Sequence, residues 1–140
     1  EVKEICDRYQ VPFYCHTYRE AAVKTGARGL HLPLPVFRET GRQGLAPEIV
    51  LGCSVHSIQE AREAEGLGAD YVIAGHIYAT DCKKGLPPRG LEFLEETCRS
   101  VSLPVYAIGG IRLDWEQIEK TMTAGARGVC VMSGAMTCEY

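Results

Sequence analysis

Gly125-Ala-Arg-Gly-Val-Cys-Val-Met-Ser-Gly134 packs one structural unit into ten residues: a glycine that stops a helix, a short apolar run and a glycine-containing turn. The same helix stop recurs upstream as Gly26-Ala-Arg-Gly-Leu30 and Gly68-Ala-Asp-Tyr-Val72. Strand-length apolar runs follow this rhythm along the chain: Val11 to Cys15, Leu30 to Leu32, Ile49 to Ser54, Tyr71 to Gly75, Val105 to Gly109 and Val129 to Ser133. Between them the apolar spacing switches to the helical period, as in Val2, Ile5, Cys6, Tyr9 and in Leu91, Leu94, Cys98, Val101. Thr17-Tyr-Arg-Glu20, Ser57-Ile-Gln-Glu60 and Asp114-Trp-Glu-Gln117 read as helix starts, each a short polar cap with Glu or Gln three residues on.

Alternating βα units with continuously apolar strands predict a parallel sheet covered by helices. An open doubly wound sheet would carry a glycine-rich loop after its first strand, and Val11 to Thr17 has no glycine. The glycines come after the last two runs, at Gly109-Gly110 and Gly134, where barrels commonly bind phosphate after strands 7 and 8. The expectation is therefore α/β, a (βα)8 TIM barrel in which residues 1–140, a single domain, supply strands 3 to 8. On that reading the chain, at 140 residues, falls short of the roughly 200 a closed barrel needs, lacking two βα units in front and most of the last helix. Such a piece would expose parallel edges that invite another chain, a homodimer being one arrangement.

Composition narrows the function. The chain is 46% apolar and 24% charged with a formal net charge of −3, and it lacks the basic surface a nucleic-acid binder needs. No apolar run approaches the roughly 18 residues that cross a bilayer, and Glu1-Val2-Lys3-Glu4 has no signal-peptide layout, so a cytoplasmic protein with no membrane partner is expected. Seven cysteines (Cys6, Cys15, Cys53, Cys82, Cys98, Cys130, Cys138), odd in number and without a C-x-x-C pair, read as reduced structural thiols.

All four histidines, His16, His31, His56 and His76, fall at or just beyond strand ends, which converge on the active-site face of a βα barrel. His31, inside Gly-Leu-His-Leu-Pro, reads as the most structural, and packing or capping is the plainer reading of His56 beside Ser57. His76 opens the longest connection, Gly75 to Gly90, of the length typical of a binding loop. Its imidazole suits acid/base work near neutrality. Lys83 and Lys84 in that loop would attract an anionic substrate, and Cys82 is only a weak nucleophile candidate. Gly109, Gly110, Ser133 and Gly134 form the candidate phosphate site, where glycine backbones allow close approach.

Five segments carry a resemblance: Leu51-Gly-Cys-Ser-Val-His-Ser57, Gly68-Ala-Asp-Tyr-Val72, Gly75-His-Ile-Tyr-Ala-Thr-Asp-Cys-Lys-Lys-Gly85, Pro104-Val-Tyr-Ala-Ile-Gly-Gly-Ile111 and Gly128-Val-Cys-Val-Met-Ser-Gly134. In order and register they resemble the thiamine phosphate synthase/TenI superfamily. Synthases of that superfamily hold magnesium and a pyrimidine pyrophosphate with carboxylates after the third and fourth strands. Here those positions read Cys15-His16-Thr17 and Pro33-Leu34-Pro35, without a carboxylate. The loop Gly-His-Ile-Tyr-Ala-Thr-Asp-Cys-Lys-Lys-Gly is closer to the TenI thiazole tautomerases, an isomerase activity.

The resemblance to that branch implies a metal-free, cofactor-free proton shift that aromatises a carboxythiazole ethyl phosphate in thiamin biosynthesis. His76 would be the catalytic residue, Gly109, Gly110, Ser133 and Gly134 the substrate phosphate site, and Lys83, Thr80 and Ser54 further substrate contacts. The alternatives are a thiamine phosphate synthase, or a non-catalytic regulator that binds thiazole or thiamin phosphates.

Overall fold

The computed structural model describes residues 1–137, so Cys138 lies outside the described residues. Six strands form one sheet: β1 (Tyr14–His16), β2 (Gly29–Pro33), β3 (Val50–Val55), β4 (Tyr71–Gly75), β5 (Val105–Ile108) and β6 (Gly128–Cys130). Every neighbouring pair is parallel and the spatial order is the chain order, β1 to β6. A doubly wound sheet reverses direction at a switch point, so this sequential order is that of a βα-barrel wall and removes the open-sheet alternative. The helices are α1 (Val2–Arg8), α2 (Arg19–Thr25), α3 (Leu34–Thr40), α4 (Ile58–Gly66), α5 (Gly90–Ser100), α6 (Trp115–Thr123) and α7 (Ser133–Met136). No helix among the described residues is long and apolar enough to cross a membrane.

The two faces of the sheet are filled differently. Leu30 and Leu32, Leu51 and Cys53, Val72 and Ala74, and Val105 and Ala107 point to the helix layer, where they meet Ala22, Phe37, Ala61, Ala64 and Leu94 in the main core. Each large side chain buried there contributes about 1.5–3 kcal/mol. The alternate residues face the concave side, where Tyr14, Tyr71 and Tyr106 pack edge to face, with ring centroids 6.2 and 5.6 Å apart. Their rings fit because a glycine lies opposite. A Cβ on Gly52 would sit 2.0 Å from the Tyr71 ring, and one on Gly29 would sit 2.3 Å from that of Tyr14.

Local signals in the sequence match the structure unevenly. Ser57 caps α4 by accepting from the Glu60 N–H, and Asp114 caps α6 by accepting from Glu116 and Gln117. Thr17 does not cap α2. It adopts φ +67° and its hydroxyl bonds Nδ1 of His16 at 2.8 Å, leaving Tyr18 at the N-cap without a side-chain bond. The apolar face of α1 is also not a core face: Val2, Ile5 and Tyr9 are all at least half exposed. The six cysteines among the described residues are free thiols, and burial pushes Cys53 up to about 12, which keeps it protonated.

Candidate functional site

The strand ends of β4, β5 and β6 surround a cavity of about 180 Å³. His76, Gly109, Gly110 and Ser133 line it with Thr80 and Lys83 from the long loop, and His56 from the end of β3 completes the polar lining. Six of the expected site residues thus meet in one place. Gly134 does not line the cavity; it follows Ser133 in the first turn of α7 and packs toward Val131 and Leu113. Ser54 lies elsewhere, because its position on β3 turns it to the concave face, where its Oγ bonds Nε2 of His31 at 2.7 Å.

His76 is 5% exposed and is held by its backbone. Ile77 N–H donates to the Ile108 carbonyl and Tyr78 N–H to the Gly109 carbonyl, so the chain leaving β4 continues along β5 past the end of the sheet. That close passage explains the glycine pair: a Cβ on Gly109 would lie 2.3 Å from His76 Cβ, and one on Gly110 would lie 2.3 Å from the Ala79 carbonyl oxygen. Both glycines have positive φ, +102° and +68°. The pair therefore has a packing role at the histidine as well as its place in the cavity wall. Nε2 of His76 makes a long 3.4 Å contact to the Leu86 carbonyl, which can only accept. In that contact Nε2 is the donor. Among the described residues, Nδ1 of His76 is the buried side-chain nitrogen or oxygen without a hydrogen-bond partner.

The loop is closed at its neck, where Arg89 N–H donates to the His76 carbonyl and Gly90 N–H to the Ile77 carbonyl. Within it Thr80 accepts from the Cys82 N–H and starts a single 3-10 turn, Asp81–Lys83. Two further side chains converge on the Gly75 carbonyl, Nδ1 of His56 at 2.9 Å and Nε of Arg89 at 3.2 Å, and the Arg89 guanidinium lies 5.6 Å from the Phe93 ring centre. Neither contact was readable from sequence, although Arg89 ends the long loop and His56 follows β3. Cys82 and Cys130 also line the cavity, and burial raises the Cys130 thiol, which disfavours a thiolate there.

Below the cavity the concave face carries a second polar array. His31 bonds Ser54 through Nε2 and the Tyr71 hydroxyl through Nδ1 at 3.2 Å, and its ring lies 5.5 Å from that of His16. Burial, then the neighbouring His16, lowers His31 to about 4, so it is neutral at neutral pH. Among the described residues no group of three or more His, Cys, Asp or Glu could hold a metal ion.

A family profile described as thiamine monophosphate synthase (TMP-TENI) matches residues 1–135. The thiamine-phosphate synthase of Pyrococcus horikoshii is 35% identical over 144 residues, covering 99% of this chain and 66% of that protein. Thiamine-phosphate synthase 2 of Streptococcus pneumoniae is 38% identical over 142 residues, with coverage of 99% and 66%. Among solved structures, thiamine phosphate pyrophosphorylase from Pyrococcus furiosus superposes with a TM-score of 0.80 at 32% identity, covering 99% of this chain and 65% of that one. The N-acetylmannosamine-6-phosphate 2-epimerase of Clostridium perfringens, at 20% identity and a TM-score of 0.68 over 95% of this chain and 68% of that one, shares the fold alone. The chain thus spans just under two thirds of the length of the synthases it matches. Those names stand with the synthase alternative rather than with the tautomerase expected from the loop.

Proposed function

The chain belongs to the thiamine monophosphate synthase (TMP-TENI) family, and on that premise we propose that its cavity binds a phosphorylated thiazole of thiamin biosynthesis and that His76 moves a proton on it. The reaction is the thiazole tautomerase step, in which a ring carbon loses a proton, the exocyclic alkene carbon gains one and the double bond moves into the ring. The observation that carries this reading is His76 itself, a buried imidazole in the cavity wall with an unpartnered Nδ1. A buried nitrogen left without a partner is the group a ligand would satisfy. Gly109, Gly110 and Ser133 are suited to the phosphate end, and Lys83 supplies a cation beside it. On the same premise the six strands are the third to eighth of an eight-stranded barrel.

A second reading, a thiamine phosphate synthase, is favoured by the names of the relatives at 35–38% identity. The residues present do not fit the magnesium ion that reaction implies. The cavity lining contains no Asp or Glu, and a hard divalent cation takes oxygen ligands.

One experiment separates the readings. The protein is given the non-aromatic thiazole phosphate alone and, separately, the aromatic thiazole phosphate with pyrimidine pyrophosphate and magnesium. Tautomerisation that drops about 10²- to 10⁴-fold in His76→Asn supports the proposal. An unimpaired variant removes His76 from the mechanism, and thiamine phosphate formed in the second reaction puts the synthase first.

A further inference from the structure

Asp114-Trp-Glu-Gln117 reads as a helix start, and in such a box the last side chain folds back onto the N–H of the cap residue. Gln117 instead reaches past Asp114. Its Oε1 accepts from the Arg112 N–H at 2.8 Å, and its Nε2 donates to the Gly110 carbonyl at 3.1 Å. A backbone N–H only donates and a carbonyl only accepts, so these partners fix which end of the amide is which. At the matching place on α4, Glu60 reaches the His56 N–H at 2.6 Å through one carboxylate oxygen. A carboxylate has no hydrogen to donate, so it takes an amide to hold both ends of the Gly110–Arg112 turn.

The clasp acts from outside the site. Gly110 and Ile111 line both the strand-end cavity and the groove beside it, whereas Gln117 lines the groove and not the cavity. In a trans peptide the C=O and the N–H point opposite ways, so turning the Gly110 carbonyl to Gln117 turns the Ile111 N–H to the cavity side. The Gly109 carbonyl is taken by the Tyr78 N–H at 2.9 Å, which fixes the Gly110 N–H of the next peptide in the same way. Neither N–H bonds a carbonyl or side chain among the described residues. Helix α6, which carries the clasp, is itself held: Asp114 Oδ1 accepts from the Gln117 N–H at 3.3 Å, and the Tyr78 hydroxyl meets the buried Thr121 at 2.9 Å.

We propose that Gln117 is a positioning residue for the substrate phosphate, its amide holding the Gly110–Arg112 turn so that the Gly110 and Ile111 N–H groups stay open to the anion. This rests on the reading of that turn as the phosphate end of the site. Gln117 acts through the turn and touches no substrate, so its effect belongs to binding and not to the proton shift.

The test compares the intact protein with Gln117→Met, which keeps the length of the side chain and removes both bonds, and with Gln117→Glu, which keeps the acceptor for Arg112 and removes the donor to Gly110. Inorganic phosphate is titrated calorimetrically into each, and each is given the non-aromatic thiazole phosphate and, separately, its phosphate-free alcohol. Both variants are expected to bind phosphate about five- to tenfold more weakly and to raise KM for the phosphorylated thiazole by a similar factor at nearly unchanged kcat. Turnover of the alcohol is expected to match the wild type. The role of Gln117 is overturned if the variants bind phosphate as the wild type does, if the alcohol and the phosphate ester lose equally, or if both variants fail to fold. A wild type that binds no phosphate overturns the phosphate-site reading and this role with it. A wild type that binds phosphate through Gln117 but leaves the thiazole unchanged overturns the tautomerase step alone and supports the role.

Discussion

His31 and His76 are both buried, 7% and 5% exposed, yet they sit at different heights of the same barrel wall with different partners. At the middle of the sheet, both ring nitrogens of His31 are engaged by Ser54 and Tyr71, and aromatic rings fill the space around it. At the strand ends, His76 spends one nitrogen on a long contact to the Leu86 carbonyl and leaves the other without a partner. Burial alone therefore does not separate a structural histidine from a reactive one; the count of satisfied nitrogens does.

The contrast is sharpest if each histidine is replaced. His76→Asn is expected to remove the activity, as above, with little change in stability, and a His76 variant that unfolds would collapse the distinction. His31 acts on stability through pH. The unfolded ring binds a proton below about pH 6.5, while the folded ring stays neutral down to about 4, so stability falls as pH drops across that window and is fully present above it. Full passage costs roughly 3 kcal/mol. Denaturant titrations at pH 7 and pH 4.5 should show most of this loss in the wild type and a smaller loss in His31→Gln. Equal losses would mean that other groups drive the acid sensitivity.

The interior around His31 makes a second, smaller test. Gly52→Ala places a methyl 2.0 Å from the Tyr71 ring and should destabilise by about 1–3 kcal/mol, partly recovered in a double variant with Tyr71→Val. Additive losses would show that the two positions do not share their space. The smallest effect concerns the caps. Asp114→Ala should cost about 1 kcal/mol in thermal or denaturant unfolding, and Thr17→Ala clearly less, since Thr17 caps nothing.

Much of the wall was legible in the sequence because its periods are local. The run at Tyr71–Gly75 is strand β4 at both ends, and the caps at Ser57 and Asp114 lie where their spacing puts them. The neighbours of Ser54 depend on register: pairing His31 with Gly52 carries Ser54 inward beside the His31 ring, which no single strand reveals. The Gly109-Gly110 turn was readable as a site feature, but its steric role against His76 required the β4–β5 alignment. Thr17 failed as a cap because its hydroxyl found a closer acceptor or donor in the preceding histidine.

The loop after β4 has its neck closed by its own backbone, through Arg89 to His76 and Gly90 to Ile77. Closure of that kind is independent of what the segment contains, because the entropy of bringing its ends together grows only slowly with length. Residues Asp81 to Gly85, between the Ala79 carbonyl that packs on Gly110 and the Leu86 carbonyl that meets His76, are in effect an exchangeable cassette. Lineages could recompose that stretch and so change which molecules enter, while the histidine at the neck and the sheet beneath keep the geometry they have.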